Sequence, residues 1–418
     1  MLTRLEVDGF KNLLGFVAEF GPFTCIAGAN AVGKSNLFDA IEFLSLLAEH
    51  SPDEAAQLLR GGSEDTDARD LFWRSPGQRG GTMRLAAEMI VPGDESAFLR
   101  YQVCLKYRAP RGNELVGQIV VTSEARWRIR TSDHSTHLRF TNEPGNLVKP
   151  AGVESVFIDD PVGEPLGETS GEHERTSLSF APNSESELAI RRELQSWRRL
   201  ALEPAAMRSP DRFKSPQKLG IDGSHLAATL YRIAHQDGAD AADIYAELAS
   251  RLSELTPIHD VRIDRDDKRE LLTLEAELRQ VGWVDARGLS EGTLRFLALA
   301  SLSLDPDAPR LVCIEEPENG IHPAVVGPLA DLLRSAARAP ERQIIVNTHS
   351  PIFVRHVHEH AAEDLLMAKL VGMPGVGGGS TRALRLKPLV DTWRCHDDVQ
   401  GVGLAALIDY LESPRPED

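Results

Sequence analysis

Eight residues constrain this 418-residue chain more than any others: Gly28-Ala29-Asn30-Ala31-Val32-Gly33-Lys34-Ser35. They match G-x-x-x-x-G-K-[ST], in which glycines let the backbone turn tightly enough for successive N–H groups to face one phosphate. The pattern works only between a strand and a helix, and its flanks comply. An apolar run, Phe23 to Ala27, precedes it, and a helical pattern from about Lys34 to Ala48 follows, with Leu37, Ile41, Leu44 and Leu47 on one stripe. Lys34 is expected to neutralise the β- and γ-phosphates and the Ser35 hydroxyl to ligate Mg²⁺. The helix that opens here points its positive end at the anion.

Three further segments carry chemistry. Arg310-Leu-Val-Cys-Ile-Glu315-Glu316-Pro317 is an apolar strand ending in two carboxylates, the Walker-B arrangement. Glu315 would hold Mg²⁺ through water, and Glu316 would orient and deprotonate the attacking water. Ile344-Ile-Val-Asn347-Thr348-His349-Ser350-Pro351 is another such strand, and His349 can donate to a γ-phosphate. Gly288-Leu289-Ser290-Glu291-Gly292-Thr293 precedes an apolar helix containing Leu294, Phe296, Leu297, Leu299 and Ala300. Ser290 reads as its N-cap, and Gly292 permits close approach of a ligand; by spacing alone, a plain helix cap is the favoured reading.

Between these motifs the pattern changes twice. From about Met83 to Phe140 the period is 2, which predicts an antiparallel sheet. Residues 160–176 are acidic and rich in Gly and Pro and predict a mobile loop. Helical periodicity returns at 186–202, 223–235 and 239–255, followed by strand-like runs at 259–264 and 270–279. The last quarter alternates apolar strands with helices, which suits a parallel sheet covered on both faces. The expected domains are 1–180 (N-terminal lobe), 181–258 (helical insertion) and 259–418 (C-terminal lobe).

Together, GANAVGKSN, LSEGT, CIEEPENGIHP and NTHSP resemble the ATPase heads of the SMC, RecF and OLD families. The resemblance implies an α/β fold, an ABC/SMC-type P-loop ATPase head with an antiparallel β subdomain and a helical insertion. It implies ATP and Mg²⁺ as cofactors, ATP hydrolysis, and a homodimer in which the LSxG segment of one subunit completes the site of the other. By position, Gly28, Asn30, Gly33, Lys34, Ser35 and Asn36 would bind nucleotide, with Lys11 and Asn12 nearby. Ser35 and Glu315 would hold the metal, Glu316 would be the base and His349 the γ-phosphate sensor. Ser290 and Gly292 would contact the γ-phosphate in trans, and Glu318-Asn319 would link the two sites.

The departures are informative. Glu291 and Thr293 replace the glycine and glutamine of the transporter-type LSGGQ, which argues against a transporter motor. Walker B carries glutamate where aspartate is usual, and the Q-loop glutamine has only Gln78 as a weak candidate. The chain lacks the long coiled coil of SMC proteins. The 68 residues after Ser350 lack the acidic clusters of the Toprim nuclease that OLD proteins append, so cleavage would need a separate polypeptide.

Composition limits the partners. Four scattered cysteines without a C-x-x-C pair argue against a disulfide framework or zinc site, and no run is apolar enough to span a bilayer. The N-terminus has no signal-peptide layout, so a cytoplasmic protein is expected. Net charge is −17, so DNA contact would need local patches. Two stand out: Arg126, Arg128 and Arg130, alternating along a strand, and residues 191–218, with eight cationic side chains against three acids. Either patch alone is better explained by a solvated, salt-bridged surface. The run Arg355-His356-Val-His358-Glu-His360 suggests a metal, but without acids at ligand spacing metal binding is disfavoured. Two functions follow: a head that acts on or senses DNA in genome maintenance or antiphage defence, or a nucleotide-gated scaffold that holds an effector such as a nuclease.

Overall fold

The computed structural model describes residues 1–59, 67–75, 78–79, 81–91, 98–112, 115–129, 163–180, 182–236, 240–253, 255–339, 342–374, 380–390, 392 and 401–412. Its centre is a six-stranded sheet in the order Trp197–Leu200, Leu311–Glu315, Gln343–Thr348, Phe23–Ala27, Leu365–Pro374, Ser380–Pro388. Every pair is parallel except the last. The inner strands are apolar nearly throughout because both faces are covered. Alternate residues feed different layers. Phe23, Cys25, Val312, Ile314, Ile344 and Val346 pack with the helix Glu291–Leu304. Ile26, Leu311, Cys313 and Ile345 pack instead with Leu37, Phe38, Ile41 and Leu44 of the helix Lys34–Leu47.

The second layer ends on an antiparallel sheet in the order Phe16–Glu19, Leu2–Asp8, Thr82–Ile90, Phe98–Arg108, Gln118–Ile129, Gly163–His173. The period-2 signal from Met83 is therefore correct as far as Ile129; residues 130–162, Arg130 among them, lie outside the described residues. The loop expected at 160–176 needs correction, because Gly163–His173 is a strand. Among the described residues it pairs with Gln118–Ile129 alone, in a register that shifts between Val121 and Ser123 and again between Arg126 and Trp127. A strand paired on one side tolerates Pro165, and Gly171 (φ 119°) takes a backbone angle that other residues resist. Its acidic side chains stay in solvent, so composition alone does not distinguish it from a loop.

A second correction concerns 186–202. The helix there is Glu185–Gln195, capped by Ser184, and Trp197–Leu200 is a strand beside Leu311–Glu315. Trp197 and Leu200 are both core residues, but they enter opposite layers as strand neighbours of opposite parity do. The remaining helical patterns appear as Leu226–Ala234 and Ala241–Leu252, and the strand-like runs as Ile258–Asp266 and Leu271–Leu278. Among the described residues no helix is long and apolar enough to cross a membrane.

Candidate functional site

Three parallel strands, Phe23–Ala27, Gln343–Thr348 and Leu311–Glu315, end side by side and deliver their following loops to one edge of the sheet. This is where an open parallel sheet presents a ligand crevice. Gly28 leaves the first strand with its N–H bonded to Thr348 O at 3.1 Å. A Cβ on Gly28 would lie 2.7 Å from Ala368 O, so only glycine fits against that neighbouring strand. Asn30 and Ala31 form the exposed tip. Ala31 (φ 64°) and Gly33 (φ 101°) both take left-handed angles, the backbone alternation that turns successive N–H groups into an anion-binding concavity.

The helix Lys34–Leu47 begins without a side-chain cap and without an acid in its first turn. The helices after Ser51, Ser184, Ser290 and Ser350 are each capped by that serine. The positive end of the first helix thus carries neither a side-chain cap nor a first-turn acid, the arrangement that suits an anion. Ser35 and Asn36 are half-buried there. Lys34 folds back over the loop, its ammonium donating to Gly28 O (2.7 Å) and Ala29 O (2.8 Å). Burial pushes the Lys34 ammonium below its ordinary value, against the opposing pull of Glu316, Glu318 and Glu315.

Asn12 braces this loop from behind. Its amide donates to Val32 O (3.1 Å) and accepts from Asn36 Nδ2 (2.9 Å). A Cβ on Gly33 would collide with it at 2.1 Å. Lys11, at φ 47°, reaches Asp39 Oδ2 at 2.5 Å. Asp39 is fully buried on the loop helix and also meets Arg199 at 2.7 Å. Arg199 in turn contacts Glu42 (3.4 Å) and Glu315 (2.5 Å), so one guanidinium connects the loop helix to the Walker-B strand.

Glu316 follows at φ 42°, an unusual angle for a residue with a side chain. Its N–H is held by both the backbone oxygen (3.1 Å) and the side-chain oxygen (3.0 Å) of buried Asn347. Its carboxylate accepts from Asn319 Nδ2 (2.6 Å) and lies 3.1 Å from His349 Nδ1. Glu318 turns the other way, into the interior, where Thr348 Oγ1 donates to one oxygen and the second oxygen has no side-chain or backbone donor among the described residues. Burial pushes its carboxyl up; the Thr348 hydrogen bond and His349 oppose this, and Glu316 reinforces it.

A raised carboxyl contributes stability that is complete below its unfolded value and lost as pH climbs through its folded one. Glu318→Gln should therefore gain stability relative to wild type as pH rises above the ordinary carboxylate range. Urea unfolding at a series of pH values measures this. A constant difference from pH 4 to about pH 8 would contradict it.

Ser290 caps its helix, accepting from Thr293 N (3.1 Å) with Thr293 Oγ1 at 2.8 Å. Ser290 and Glu291 are exposed. A Cβ on Gly292 would meet Gly320 O at 3.4 Å, so this helix start packs against the loop that follows Walker B. Gln78 lies in a two-residue strand opposite Arg74–Ser75, and its side chain lies outside the described residues.

The basic patches shrink on folding. Arg126 is buried in an ion pair with Glu187 (2.7 Å), leaving Arg128 exposed. In the 191–218 segment Arg199 is buried in the site, and Arg208 donates to Leu289 O (3.3 Å) beside Ser290. Arg192, Arg198, Arg212, Lys214 and Lys218 remain exposed. Sequence reading missed the roles of Arg199, Asp39 and Asn347. Little in the sequence signals them: Asp39 lies off the Leu37, Ile41 and Leu44 stripe of its helix, and Trp197-Arg198-Arg199-Leu200 does not alternate as a strand would.

The family described as "AAA domain, putative AbiEii toxin, Type IV TA system" matches residues 23–355. Structural maintenance of chromosomes protein 1 of Schizosaccharomyces pombe is 24% identical over 290 residues, 66% of this chain and 22% of that protein. DNA replication and repair protein RecF of Acaryochloris marina is 34% identical over 77 residues, 18% of this chain and 21% of that protein. The matched regions thus span about a fifth of the length of these relatives. The crystal structure of an SMC head bound to the C-terminal winged-helix domain of ScpA aligns with TM-score 0.51 and 16% identity, covering 92% of this chain and 97% of that one, and shows the shared fold. With the phosphate loop, the paired carboxylates and the strand-end histidine gathered at one sheet edge, the chain belongs to this AAA domain family and is an SMC/RecF-like ABC-type ATPase head.

Proposed function

We propose that the chain binds Mg²⁺–ATP at this edge, hydrolyses it, and closes as a homodimer around the nucleotide in order to act on or sense DNA. The carrying observation is the Glu316–His349 contact of 3.1 Å, set opposite the uncapped helix start and within the field that Lys34 feels. The left-handed loop and the free helix end suit a triphosphate, and Ser35 with Glu315 suits a hard cation through oxygen ligands. Bound Mg²⁺ would neutralise charge on the transferring phosphoryl group.

The rest belongs to the chain. Lys34 exchanges its carbonyl partners for phosphate oxygens, and Arg199 restrains Glu315. Asn347 sets the backbone of Glu316 so that its carboxylate can take a proton from water. His349, against that carboxylate, senses the γ-phosphate. Asn30 and Asn36, with Gly28 and Gly33, shape the cradle, while Lys11 and Asn12 hold it in place. Exposed Ser290 and half-buried Gly292, the latter packed against the loop after Walker B, would complete the site of a second copy.

RecF, by its name, acts in DNA replication and repair, and a similar SMC head binds a partner protein. Both kinds of partner are open to this chain. The second reading, a nucleotide-gated scaffold for an effector such as a nuclease, gains support from Arg126 and Arg199, whose charges are engaged internally. In a chain of net charge −17, that leaves less surface for DNA.

Light scattering on Glu316→Gln with Mg²⁺ tests the dimer. ATP should double the apparent mass at micromolar protein, and removal of ATP should reverse the change. A monomer in both conditions, or a dimer indifferent to nucleotide, would reject the closure. In the same assays, duplex DNA that raises wild-type turnover favours the DNA reading, and indifference to DNA favours the scaffold.

A further inference from the structure

The sequence places His356 and His360 one helical turn apart without an acid at ligand spacing. The fold supplies the acid from another helix. Asp331, on Val326–Ala337, brings Oδ2 to 2.9 Å from His356 Nε2 on Pro351–Ala361. One ligand atom from each of Asp331, His356 and His360 lies within 4.8 Å of the others. We propose that these three side chains form a surface site for a divalent first-row transition metal, distinct from the nucleotide crevice.

Three observations beyond proximity favour a ligand set over a solvated cluster. His360 Nδ1 lies 2.9 Å from His356 O. When that nitrogen donates its hydrogen to the carbonyl, Nε2 is left as the bare lone pair a metal takes; a backbone carbonyl behind a ligating imidazole is the usual outer partner. The His356 and His360 rings stand 4.5 Å apart, already side by side. Gly327 makes room for the cluster. A Cβ there would lie 2.7 Å from His356 Nδ1 and 3.0 Å from Cε1, so the imidazole occupies space that any other residue would fill.

Ligand atoms about 2.0–2.2 Å from a tetrahedral zinc stand roughly 3.3–3.5 Å apart, which small side-chain rotations reach from the present spacing. The metal would replace the proton between His356 and Asp331, and both groups would become ligands. Two imidazoles and one carboxylate select zinc, cobalt, nickel or copper over magnesium or calcium. The fourth position, facing solvent, would hold water.

The location gives the site a consequence. The Asp331 helix follows the loop through Glu318 and Gly320, and the histidine helix begins directly after His349 and Ser350. A bound metal would tie together the two helices that leave the Glu316–His349 pair.

The test is Co²⁺ and Zn²⁺ binding to the untagged full chain without nucleotide. Visible d–d absorption with Co²⁺ and calorimetry with Zn²⁺ should each give one site per chain. Affinity should fall about a hundredfold in His360→Gln, whose exposed side chain can be changed without disturbing the core, and similarly in Asp331→Asn. His358→Gln should bind as wild type. Gly327→Ala, which removes no ligand but displaces His356, should also weaken binding. Zinc should raise the denaturation midpoint of wild type and not of His360→Gln. Binding unchanged in His360→Gln, equal loss in His358→Gln, or no binding by wild type would overturn the site.

Discussion

Glu316→Gln is expected to bind ATP as wild type does and to turn it over about 10²–10⁴-fold more slowly. The substitution keeps the shape of the side chain and one acceptor oxygen, which can still take the Asn319 hydrogen bond, but removes the carboxylate proposed as the base. The phosphate cradle of Gly28 to Ser35 is untouched, so the loss should fall on kcat with binding intact. Lys34→Ala should do the reverse. It removes the ammonium that now caps Gly28 O and Ala29 O, and nucleotide affinity itself should drop. Steady-state turnover combined with equilibrium binding of a fluorescent ATP analogue separates the two. Wild-type turnover in Glu316→Gln would remove Glu316 as the base and shift attention to its neighbours.

Arg199→Met should lower the free energy of unfolding by about 3–5 kcal/mol, the usual result of removing one partner from a buried ion pair. Arg199 has 8% of its side chain exposed and Asp39 none, and Glu42 and Glu315 share the same guanidinium. Methionine withdraws the guanidinium from all three carboxylates, while Lys11 still meets the other oxygen of Asp39. Lysine should rescue only part, because one ammonium cannot reproduce a fork that meets acids on two elements. Urea unfolding of the three proteins measures this, and a loss below about 1 kcal/mol would show the network to be solvated. The result also bears on DNA binding. Charge reversal at Arg199 would test folding, so a DNA-surface experiment should use Arg198, Arg212 and Lys214 instead.

The contrast between Arg199 and Lys34 shows what short-range spacing can place and what it cannot. Lys34 was legible because its partners lie within six residues, and a local backbone pattern prescribes its place. Arg199 was read as one of eight surface cations because its partners are 160, 157 and 116 residues away in the chain. Nothing local to Trp197–Leu200 announces that the strand will lie beside Leu311–Glu315. The same limit explains Gly163–His173, whose edge position and one-sided pairing make an acidic, glycine-rich stretch a strand.

By itself, the sequence determined the glycine-rich turn between a strand and a helix, the order of the motifs, the period-2 block and the doubly covered parallel sheet. Each of these is written in short-range periodicity or in residue types that only one backbone geometry accepts. Tertiary structure alone decided that Asn347 orients Glu316, that Glu318 turns inward onto Thr348, and that Arg126 and Arg199 leave the surface. It also decided that Asp331 stands beside His356. In every such case the partner lies on a different element, and its distance depends on how sheets and helices pack rather than on spacing along the chain.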